Sequence, residues 1–421
     1  MSREPTRRVL LFIESNTSGT GRTFVRTARS MGFSPVLVTA RPEKYAYLAE
    51  EGAPEVVVVP RVGEDELYAL IQRRFGGSAG VAGITSSSEY YVATAAALAA
   101  RFGLPGPDAG CVRAARDKSR QREVLAAAGV PVPAFRVATS AFPAAAAARE
   151  LGFPVVVKPV DGSGSVGVRA CADAGEVESH ALSIFASGEG EERRVLVESL
   201  VPGDEFSVEV FSGRVVGITR KHLGSPPFFV EAGHDYPADV SPELARTLAD
   251  TVVRATGLLG LGWGPLHWEL RVRDGRAVPI EVNPRLAGGF IPELVRCAQG
   301  IDLIRETLRL TVGQVPDLAP RRRRHASIRF LFAPRAGRLA AVHGAAGALD
   351  RVGVAHVSLY RRPGDELSIH EDFRDRIGHV IACAERLDAA ARTAADARDG
   401  IRIVVDAPAA APRAGVGEGG G

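Results

Sequence analysis

The chain has 421 residues, of which 46% are hydrophobic and 24% charged, and its formal net charge is +3 at pH 7. This length allows two or three domains with cores of their own, and the small net charge gives no reason to expect nucleic acid or an acidic membrane as a partner. The four cysteines are widely spaced without a C-x-x-C pair, which argues against a zinc site or a disulfide framework. No apolar stretch is long enough for a signal peptide or a membrane span, so we expect a cytoplasmic protein.

Residues 1–110 alternate strand-like and helix-like segments. The strand-like segments are 9–13, 36–39, 56–59 and 81–85, and the helix-like segments are 24–31 and 64–75. Such alternation predicts an open parallel sheet. A Pro-Gly-Pro break at 105–107 follows, and a helical stretch that carries Lys118 then leads towards a second region.

A glycine-rich loop follows a β-branched run at 153–160 that contains Lys158. The loop begins with Gly162, Ser163, Gly164 and Ser165, and with Gly167 it formally spells G-x-G-x-x-G. A dinucleotide fingerprint would need a helix after the loop, whereas a strand-like segment follows here. Strand, loop and strand suggest a flap whose backbone N–H groups close over phosphates, with Lys158 as a cation beneath it. A Gly/Ser hairpin with a solvated lysine is equally compatible with these residues alone.

Two further strand-like segments flank a Pro-Gly turn within 195–210. The backbone of Glu198, Ser199, Leu200 and Val201 could contact an adenine edge, and Glu205 could accept hydroxyl donors from a ribose. An ordinary amphipathic strand pair is the alternative interpretation. The segment 229–234, which contains Glu231 and His234, is interpreted as a loop.

The segment 278–285 places Glu281, Asn283 and Arg285 on one face of a predicted strand, because side chains alternate between the two faces. A strand-like segment at 267–272 and a turn at 274–276 predict a hairpin that brings Glu269 near Glu281. Carboxylate and amide oxygens suit Mg2+, and the Arg285 guanidinium suits a phosphate or an acyl oxyanion. An exposed hairpin with scattered charges is the alternative.

The rest of the chain adds exclusions and a C-terminal region. No G-x-x-x-x-G-K-[ST] sequence occurs, and the H-R-D and D-F-G segments of protein kinases are missing, so neither a P-loop NTPase nor a protein kinase is expected. Beyond Pro316 the pattern predicts mixed strands, a helix around 374–398 and a strand at 401–405. The Ala/Pro/Gly-rich segment 407–421 is predicted to be disordered.

Taken together and in this order, these segments resemble the ATP-grasp superfamily of carboxylate–amine ligases over roughly residues 117–310. The segments 10–21, 229–234 and 285–289 look like its L-amino-acid ligase branch. The resemblance implies a multidomain protein of the α/β and α+β classes. Its parts would be a Rossmann-like domain over 1–110, an ATP-grasp region over 111–318 and a small α+β C-terminal cap over 319–406.

The resemblance also implies a role for each candidate residue. ATP would be bound by Lys118, Lys158, Gly162, Ser163, Gly164, Ser165, Glu198, Ser199, Leu200, Val201 and Glu205. Mg2+, or Mn2+ in its place, would be held by Glu269, Glu281 and Asn283. Catalysis would depend on Arg285 and Lys158, and the substrates would contact Glu231, His234, His267, Arg285, Gly288 and Gly289.

The implied reaction is the ADP-forming activation of a carboxylate as an acyl phosphate and its transfer to an amine, which gives a dipeptide or a natural-product amide. The substrates would be small molecules, and dimers are common among proteins that this chain resembles. Three alternatives stay open: an ATP-grasp enzyme of the carboxylase type, a small-molecule kinase and a non-catalytic nucleotide-binding module.

Overall fold

The computed structural model describes residues 8–17, 19–50, 52–187 and 193–406. The segment 407–421 lies outside the described residues. Within them, the strands form four sheets. Cys111, Cys171, Cys297 and Cys383 are free thiols. None of the helices in the described ranges has the length and apolar character needed to cross a membrane.

The N-terminal region is the open parallel sheet that the sequence predicts. Its strand order is β3-β2-β1-β4, and all neighbouring strands in it run parallel. The buried apolar strands share a core with Leu67 and Ile71 of α2 and with Ala95, Leu98 and Ala99 of α3, as this class of fold requires. The elements are β1 (Val9–Ile13), α1 (Gly19–Ser30), β2 (Ser34–Thr39), β3 (Glu55–Val58), α2 (Glu64–Phe75), β4 (Val81–Thr85) and α3 (Val92–Arg101).

Two short helices lead into a four-stranded sheet with the order β5-β8-β6-β7. Asp117 caps the second of these helices, because its carboxylate accepts a hydrogen bond from the Arg120 N–H at 3.0 Å. Lys118 is therefore the first residue of that helix. The elements are α4 (Ala109–Ala115), α5 (Lys118–Ala127), β5 (Phe135–Ala138), α6 (Ala141–Leu151), β6 (Val155–Pro159), β7 (Arg169–Cys171), α7 (Ala174–Ala186) and β8 (Val195–Ser199).

The remaining strands form an eight-stranded sheet with the order β13-β12-β9-β10-β11-β14-β18-β16 and a three-stranded sheet with the order β17-β15-β19. The elements up to residue 311 are β9 (Glu205–Phe211), β10 (Arg214–Leu223), β11 (Glu231–Tyr236), α8 (Pro242–Leu258), β12 (Pro265–Arg273), β13 (Arg276–Asn283), α9 (Ile291–Gln299) and α10 (Leu303–Thr311). Those after it are β14 (His325–Phe332), β15 (Gly337–His343), α11 (Ala345–Leu349), β16 (Val354–Leu359), β17 (Glu366–Leu367), β18 (Arg376–Ala384), α12 (Leu387–Asp399) and β19 (Arg402–Asp406).

Three sequence-based expectations need correction. The helix predicted around 374–398 is wrong over its first half, because β18 occupies that part and α12 begins only at Leu387. Strand β18 is buried along almost its whole length between β14 and β16, so its apolar residues do not show the alternation of a half-buried strand. The expected loop at 229–234 is largely strand β11, which β14 pairs from about ninety residues further along the chain. The strands on either side of the Pro-Gly turn, β8 and β9, belong to different sheets and are not a strand pair.

One hydrophobic cluster connects the N-terminal sheet to the large sheet. Phe12 and Phe24 share this cluster with Leu294 of α9, Ile304 of α10 and Phe330 of β14. Burial of such side chains contributes about 25 cal/mol per Å² of apolar surface. This shared core fixes the N-terminal sheet beside the large sheet.

Candidate active site

The predicted hairpin exists, and its register brings the acidic residues together. In the antiparallel pair β12–β13, Glu269 lies opposite Glu281 and His267 lies opposite Asn283. Because residues two apart share a face of a strand, these four side chains form one patch. Trp268 between them is fully buried on the other face, which fixes the orientation of the patch.

Like charges directly opposite each other repel, and nearby cations offset this repulsion. Lys118 Nζ lies 3.0 Å from Glu281 Oε1. Lys221 Nζ lies 2.9 Å and His267 Nε2 lies 3.1 Å from Glu269 Oε1. Burial opposes the ionisation of Glu269, but Lys221 and His267 outweigh it and hold the pKa of this carboxyl well below its usual range. Glu269 is therefore ionised at neutral pH and paired with these two cations.

Lys221 is a site residue that the motifs did not indicate. Its buried ammonium lies 2.8 Å from Glu205, 2.7 Å from Glu231 and 2.9 Å from Glu269. Burial disfavours the charge of Lys221, but the three carboxylates outweigh it and hold its pKa well above the usual value. One lysine thus joins residues assigned from sequence to the ribose, the substrate and the metal.

Lys158 is held by a buried ion pair at the junction of β6 and β8. Lys158 Nζ lies 2.6 Å from Glu198 Oε2, and Arg122 Nε donates to the other oxygen at 2.5 Å. Burial lowers the pKa of Lys158 in spite of the Glu198 charge. The side chain of Glu198 thus anchors the lysine, a contact beyond the backbone role expected from sequence.

The glycine loop lies between β6 and β7, as the sequence predicts, and three regions of the chain touch it. Lys118 Nζ donates to the carbonyl of Gly162 at 2.5 Å, and the hydroxyls of Tyr90 and Ser163 lie 3.4 Å apart. Gly164 has a φ of +64°, and a Cβ at that position would lie 2.8 Å from the Phe373 ring. The loop therefore needs glycine both for its backbone and for its packing.

Arg285 is paired with a carboxylate from the N-terminal region. Its guanidinium donates to Glu89, whose other oxygen lies 2.5 Å from Arg116 Nη1. Burial opposes the charge of Glu89, but the two arginines outweigh it and lower its pKa. Sequence reasoning missed Glu89, because nothing in the local pattern links it to a residue 196 positions away.

The expected substrate residues Glu231, His234, Gly288 and Gly289 meet where β11 approaches the segment after β13. His234 Nδ1 lies 3.2 Å from the Gly289 carbonyl oxygen. Its buried Nε2 has no hydrogen-bond partner among the described residues, and Glu231 Oε2 lies 3.4 Å from it. Gly289 has a φ of +57°, and any side chain there would collide with the His234 ring. A second contact of Glu231 is Arg376 Nη2 at 2.7 Å.

A single cavity of about 2040 Å³ is lined by every residue to which the sequence assigned a role. In chain order these are Lys118, Lys158, Gly162, Ser163, Gly164, Ser165, Glu198, Ser199, Leu200, Val201, Glu205, Glu231, His234, His267, Glu269, Glu281, Asn283, Arg285, Gly288 and Gly289. These residues come from the four-stranded sheet β5-β8-β6-β7, from the eight-stranded sheet, from helix α5 and from loops next to these elements. Their individual roles stay predictions.

The chemistry of this cavity fits Mg2+ and ATP. Within the described ranges, no group of three or more His, Cys, Asp or Glu side chains is arranged as a metal site. The predicted set has two carboxylates and one amide oxygen, which suits an ion that takes its other ligands from phosphate and water. Lys118 and Lys158, which line the cavity beside the glycine loop, are the cations predicted to meet phosphate oxygens.

Comparison with known proteins points to the same family. A model of the ATP-grasp domain matches residues 151–293, and a model of the L-amino acid ligase C-terminal domain 2 matches residues 329–406. An uncharacterized protein of Sinorhizobium fredii is 41% identical over 383 residues, which are 90% of this chain and 79% of that protein. Carnosine synthase 1 of Gallus gallus is 28% identical over 326 residues, which are 72% of this chain but 35% of that longer protein.

The fold also matches a solved structure. The crystal structure of an L-amino acid ligase from Bacillus licheniformis aligns with a TM-score of 0.83, covering 96% of this chain and 100% of that chain at 21% identity. The chain therefore belongs to the ATP-grasp superfamily of carboxylate–amine ligases, in the branch that carries the L-amino acid ligase C-terminal domain.

Proposed function

We propose that the protein is an ATP-dependent, ADP-forming ligase that activates a carboxylate as an acyl phosphate and joins it to an amine. The observation that carries this proposal is the convergence of Lys118, Lys158, the glycine loop, the acidic hairpin and Arg285 on one cavity. As part of the same proposal, the enzyme acts in the cytoplasm on small molecules.

The first step is attack of the substrate carboxylate on the γ-phosphorus of ATP, which releases ADP. Lys118 and Lys158 hold phosphate oxygens, and the backbone N–H groups of the loop around Ser163 close over them. Glu269, Glu281 and Asn283 would hold Mg2+, and a bound Mg2+ would supply positive charge next to the transferring phosphoryl group. Arg285 stabilises the acyl phosphate by donating hydrogen bonds to its oxygens.

The second step is attack of the amine on the acyl carbon, with loss of inorganic phosphate. The glycine loop protects the acyl phosphate from water during this step, because hydrolysis would otherwise compete with amide formation. His234 and Glu231 contact the substrates from β11. Gly288 and Gly289 let the substrate approach the backbone beside Arg285 closely, since neither position carries a side chain.

The test is phosphate release from ATP and Mg2+ with pairwise pools of amino acids, followed by mass spectrometry of each active pool. We expect at least one product with the mass of two substrates minus water. ADP release with a phosphorylated product and no free phosphate would instead indicate a kinase, and a bicarbonate-dependent product would indicate a carboxylase. Binding of ATP without turnover in any pool would contradict the ligase proposal in favour of a nucleotide-binding module.

A further inference from the structure

The distribution of lysine in this chain points to a second functional region of the cavity. The chain has 52 Lys and Arg residues, but its only lysines are Lys44, Lys118, Lys158 and Lys221. All four line the same cavity. Lysine offers a compact charge with three freely oriented donors, which arginine does not reproduce.

Three of the four lysines face carboxylates, and the fourth does not. Lys118 lies beside Glu281, Lys158 beside Glu198, and Lys221 among three glutamates. Lys44 makes no ion pair with any residue that the structure describes. It is thus the one lysine of the cavity wall whose charge this part of the chain leaves uncompensated.

Three arginines line the same cavity as Lys44. Arg41, Arg361 and Arg362 also line the cavity, and none of them makes an ion pair within the described ranges. We call these four residues, Arg41, Lys44, Arg361 and Arg362, the basic chamber.

The acidic residues of the neighbouring wall do not neutralise the basic chamber. Arg22 holds Glu50 at 2.8 Å and, with Arg26 and Arg362, lowers the pKa of this exposed carboxyl. Glu293 is paired with Arg296, and Asp302 lies 3.9 Å from Arg305. Each of these three acids already faces an arginine. Glu14 also lines the cavity and makes no ion pair within the described ranges, so the four cations of the chamber outnumber the one unpaired carboxylate beside them.

The two segments that carry these cations are held in place by packing. Glu14 accepts a hydrogen bond from the Ala40 N–H at 2.8 Å and another from the Tyr45 hydroxyl, which fixes the backbone on both sides of Arg41. Tyr45 belongs to the hydrophobic cluster against which Phe290 packs. Phe290 stacks on Tyr360, the residue before Arg361, with ring centroids 6.1 Å apart. A continuous chain of contacts therefore joins the two cationic segments.

The volume of the cavity leaves room for a further ligand group. Pockets for small molecules usually measure about 300–1,000 Å³, whereas this cavity measures about 2040 Å³. The cations predicted to hold ATP lie on α5 and β6, whereas the basic chamber lies on connections after β2 and β16. ATP, two reacting groups and a substantial substrate body fit together in this space.

We propose that the basic chamber binds an anionic group of one substrate, a carboxylate or a phosphate, in addition to the group that reacts. This proposal rests on the proposed function, which it extends by naming an acidic substrate. The uncompensated cations attract such a substrate and orient it, and exposed charges of this kind act mainly through long-range steering and position.

The test compares each acidic probe with a neutral counterpart that lacks the anionic side-chain group. Equilibrium binding is measured by calorimetry for the dipeptides Glu-Glu and Gln-Gln, and for O-phosphoserine and serine, in the presence of Mg2+ and a non-hydrolysable ATP analogue. We expect the acidic member of at least one pair to bind about tenfold more tightly at low salt. The pair that discriminates tells whether the chamber prefers carboxylate or phosphate, and 0.5 M salt should reduce the preference.

Two variants complete the test. The double variant Lys44→Ala/Arg361→Ala should lose the preference for the acidic probe and keep its affinity for the ATP analogue. Arg392→Ala is the matched control, because Arg392 is exposed and pairs with Asp388 on α12, outside the cavity wall. Equal binding of both members of each pair, absence of binding by all four probes, or an equal loss of ATP affinity in the double variant would overturn the proposal. Phosphate release is measured separately, so failure of the ligase activity is distinguishable from failure of anion binding.

Discussion

At the scale of single residues, the Lys221 ammonium forms ion pairs with three carboxylates. It is the shared counter-ion of Glu205, Glu231 and Glu269, all of which are largely buried. Lys221→Met should destabilise the protein by roughly 3 kcal/mol, at the lower end of the cost of breaking a buried ion pair. Each of the three carboxylates loses one cation but keeps another, Arg271, Arg376 or His267. Urea unfolding measures this loss.

Lys221→Arg is the matched variant, since it keeps the charge and changes its shape. It should recover most of the stability. The dependence of its turnover on ATP concentration should still differ from that of the wild type, because a planar guanidinium does not reproduce the three contacts of the ammonium. A methionine variant as stable as the wild type would show that the carboxylates do not depend on Lys221.

Glu281 is the residue whose loss should separate catalysis from folding. Glu281→Gln keeps the shape of the side chain but removes the charge from the predicted metal ligand, so we expect turnover to fall by at least about a hundredfold. The unfolding midpoint should change little. Glu123→Gln is the control. Glu123 is exposed, and its ion pair is a surface contact at 3.6 Å with Arg120 of the same helix. Turnover near the wild-type level in Glu281→Gln would remove this residue from the metal site.

His379 should make stability depend on pH. It is buried against His356, Tyr360 and the Arg376 charge, and burial, followed by the proximity of His356 and Arg376, lowers its pKa to about 3. Because the unfolded state takes up a proton near pH 6.5 and the folded state does not, stability falls as pH drops from about 6.5 towards 3, by up to about 1.4 kcal/mol per pH unit.

The measurement for His379 is urea unfolding at pH 7 and pH 5 for the wild type and His379→Asn. The variant should lose less stability between these two values, since asparagine does not titrate. The same loss in both proteins would show that other groups cause the pH dependence.

At the scale of elements, the glycine loop is shaped by contacts from distant segments. Gly164→Ala should raise the KM for ATP, because alanine at a φ of +64° costs about 1–2 kcal/mol and its Cβ would meet the Phe373 ring. Adding Phe373→Ala should recover only part of the loss, since it removes the contact but not the backbone cost. Steady-state kinetics measure both variants.

The control for the loop is Gly257→Ala in α8, where an added Cβ would have nothing within 4 Å. This substitution should stabilise the helix by roughly 0.5–1 kcal/mol and leave the KM for ATP unchanged. An unchanged KM in Gly164→Ala would show that the loop does not need this conformation to bind ATP.

The elements also show how far pattern reasoning reaches. The strand at 81–85 and the helix at 64–75 were predicted with their observed bounds, because their periodicities are clear and they end at glycine or turn residues. The Glu269–Glu281 hairpin was predicted from its turn and its alternation. Strand β18 was wrongly predicted as helix, because a strand buried on both faces loses the alternation that identifies it.

At the scale of the whole molecule, ATP should stabilise the fold only when Mg2+ is present. The cavity is lined by the four-stranded sheet β5-β8-β6-β7, by the eight-stranded sheet and by the N-terminal region. A ligand that contacts all three opposes their separation. A non-hydrolysable ATP analogue at a hundred times its Kd should add about 2.7 kcal/mol to the free energy of unfolding. A chelator should remove most of this gain.

Thermal unfolding with and without the chelator checks this expectation. Glu281→Gln should respond weakly to Mg2+ because it lacks one metal ligand. Equal stabilisation by the analogue in the presence and absence of Mg2+ would mean that nucleotide binding does not depend on the acidic hairpin.

The sequence by itself determined the parallel N-terminal sheet, the glycine loop and the face shared by Glu269, Glu281 and Asn283. These features follow from turn residues and from the two-residue period of strands, which act over a few positions. The structure places around one cavity every candidate residue that the sequence supplied.

Only the tertiary structure decided that Lys221 joins three glutamates, that Glu89 meets Arg285, and that Lys44 shares a basic chamber with Arg361. The partners in these groups lie tens to hundreds of residues apart, as do Lys221 and Glu269 at 48 positions and Glu89 and Arg285 at 196. No local period connects such positions. They meet because the sheets pack together, and because one hydrophobic cluster joins the N-terminal sheet to the eight-stranded sheet. This packing brings the residues to one cavity.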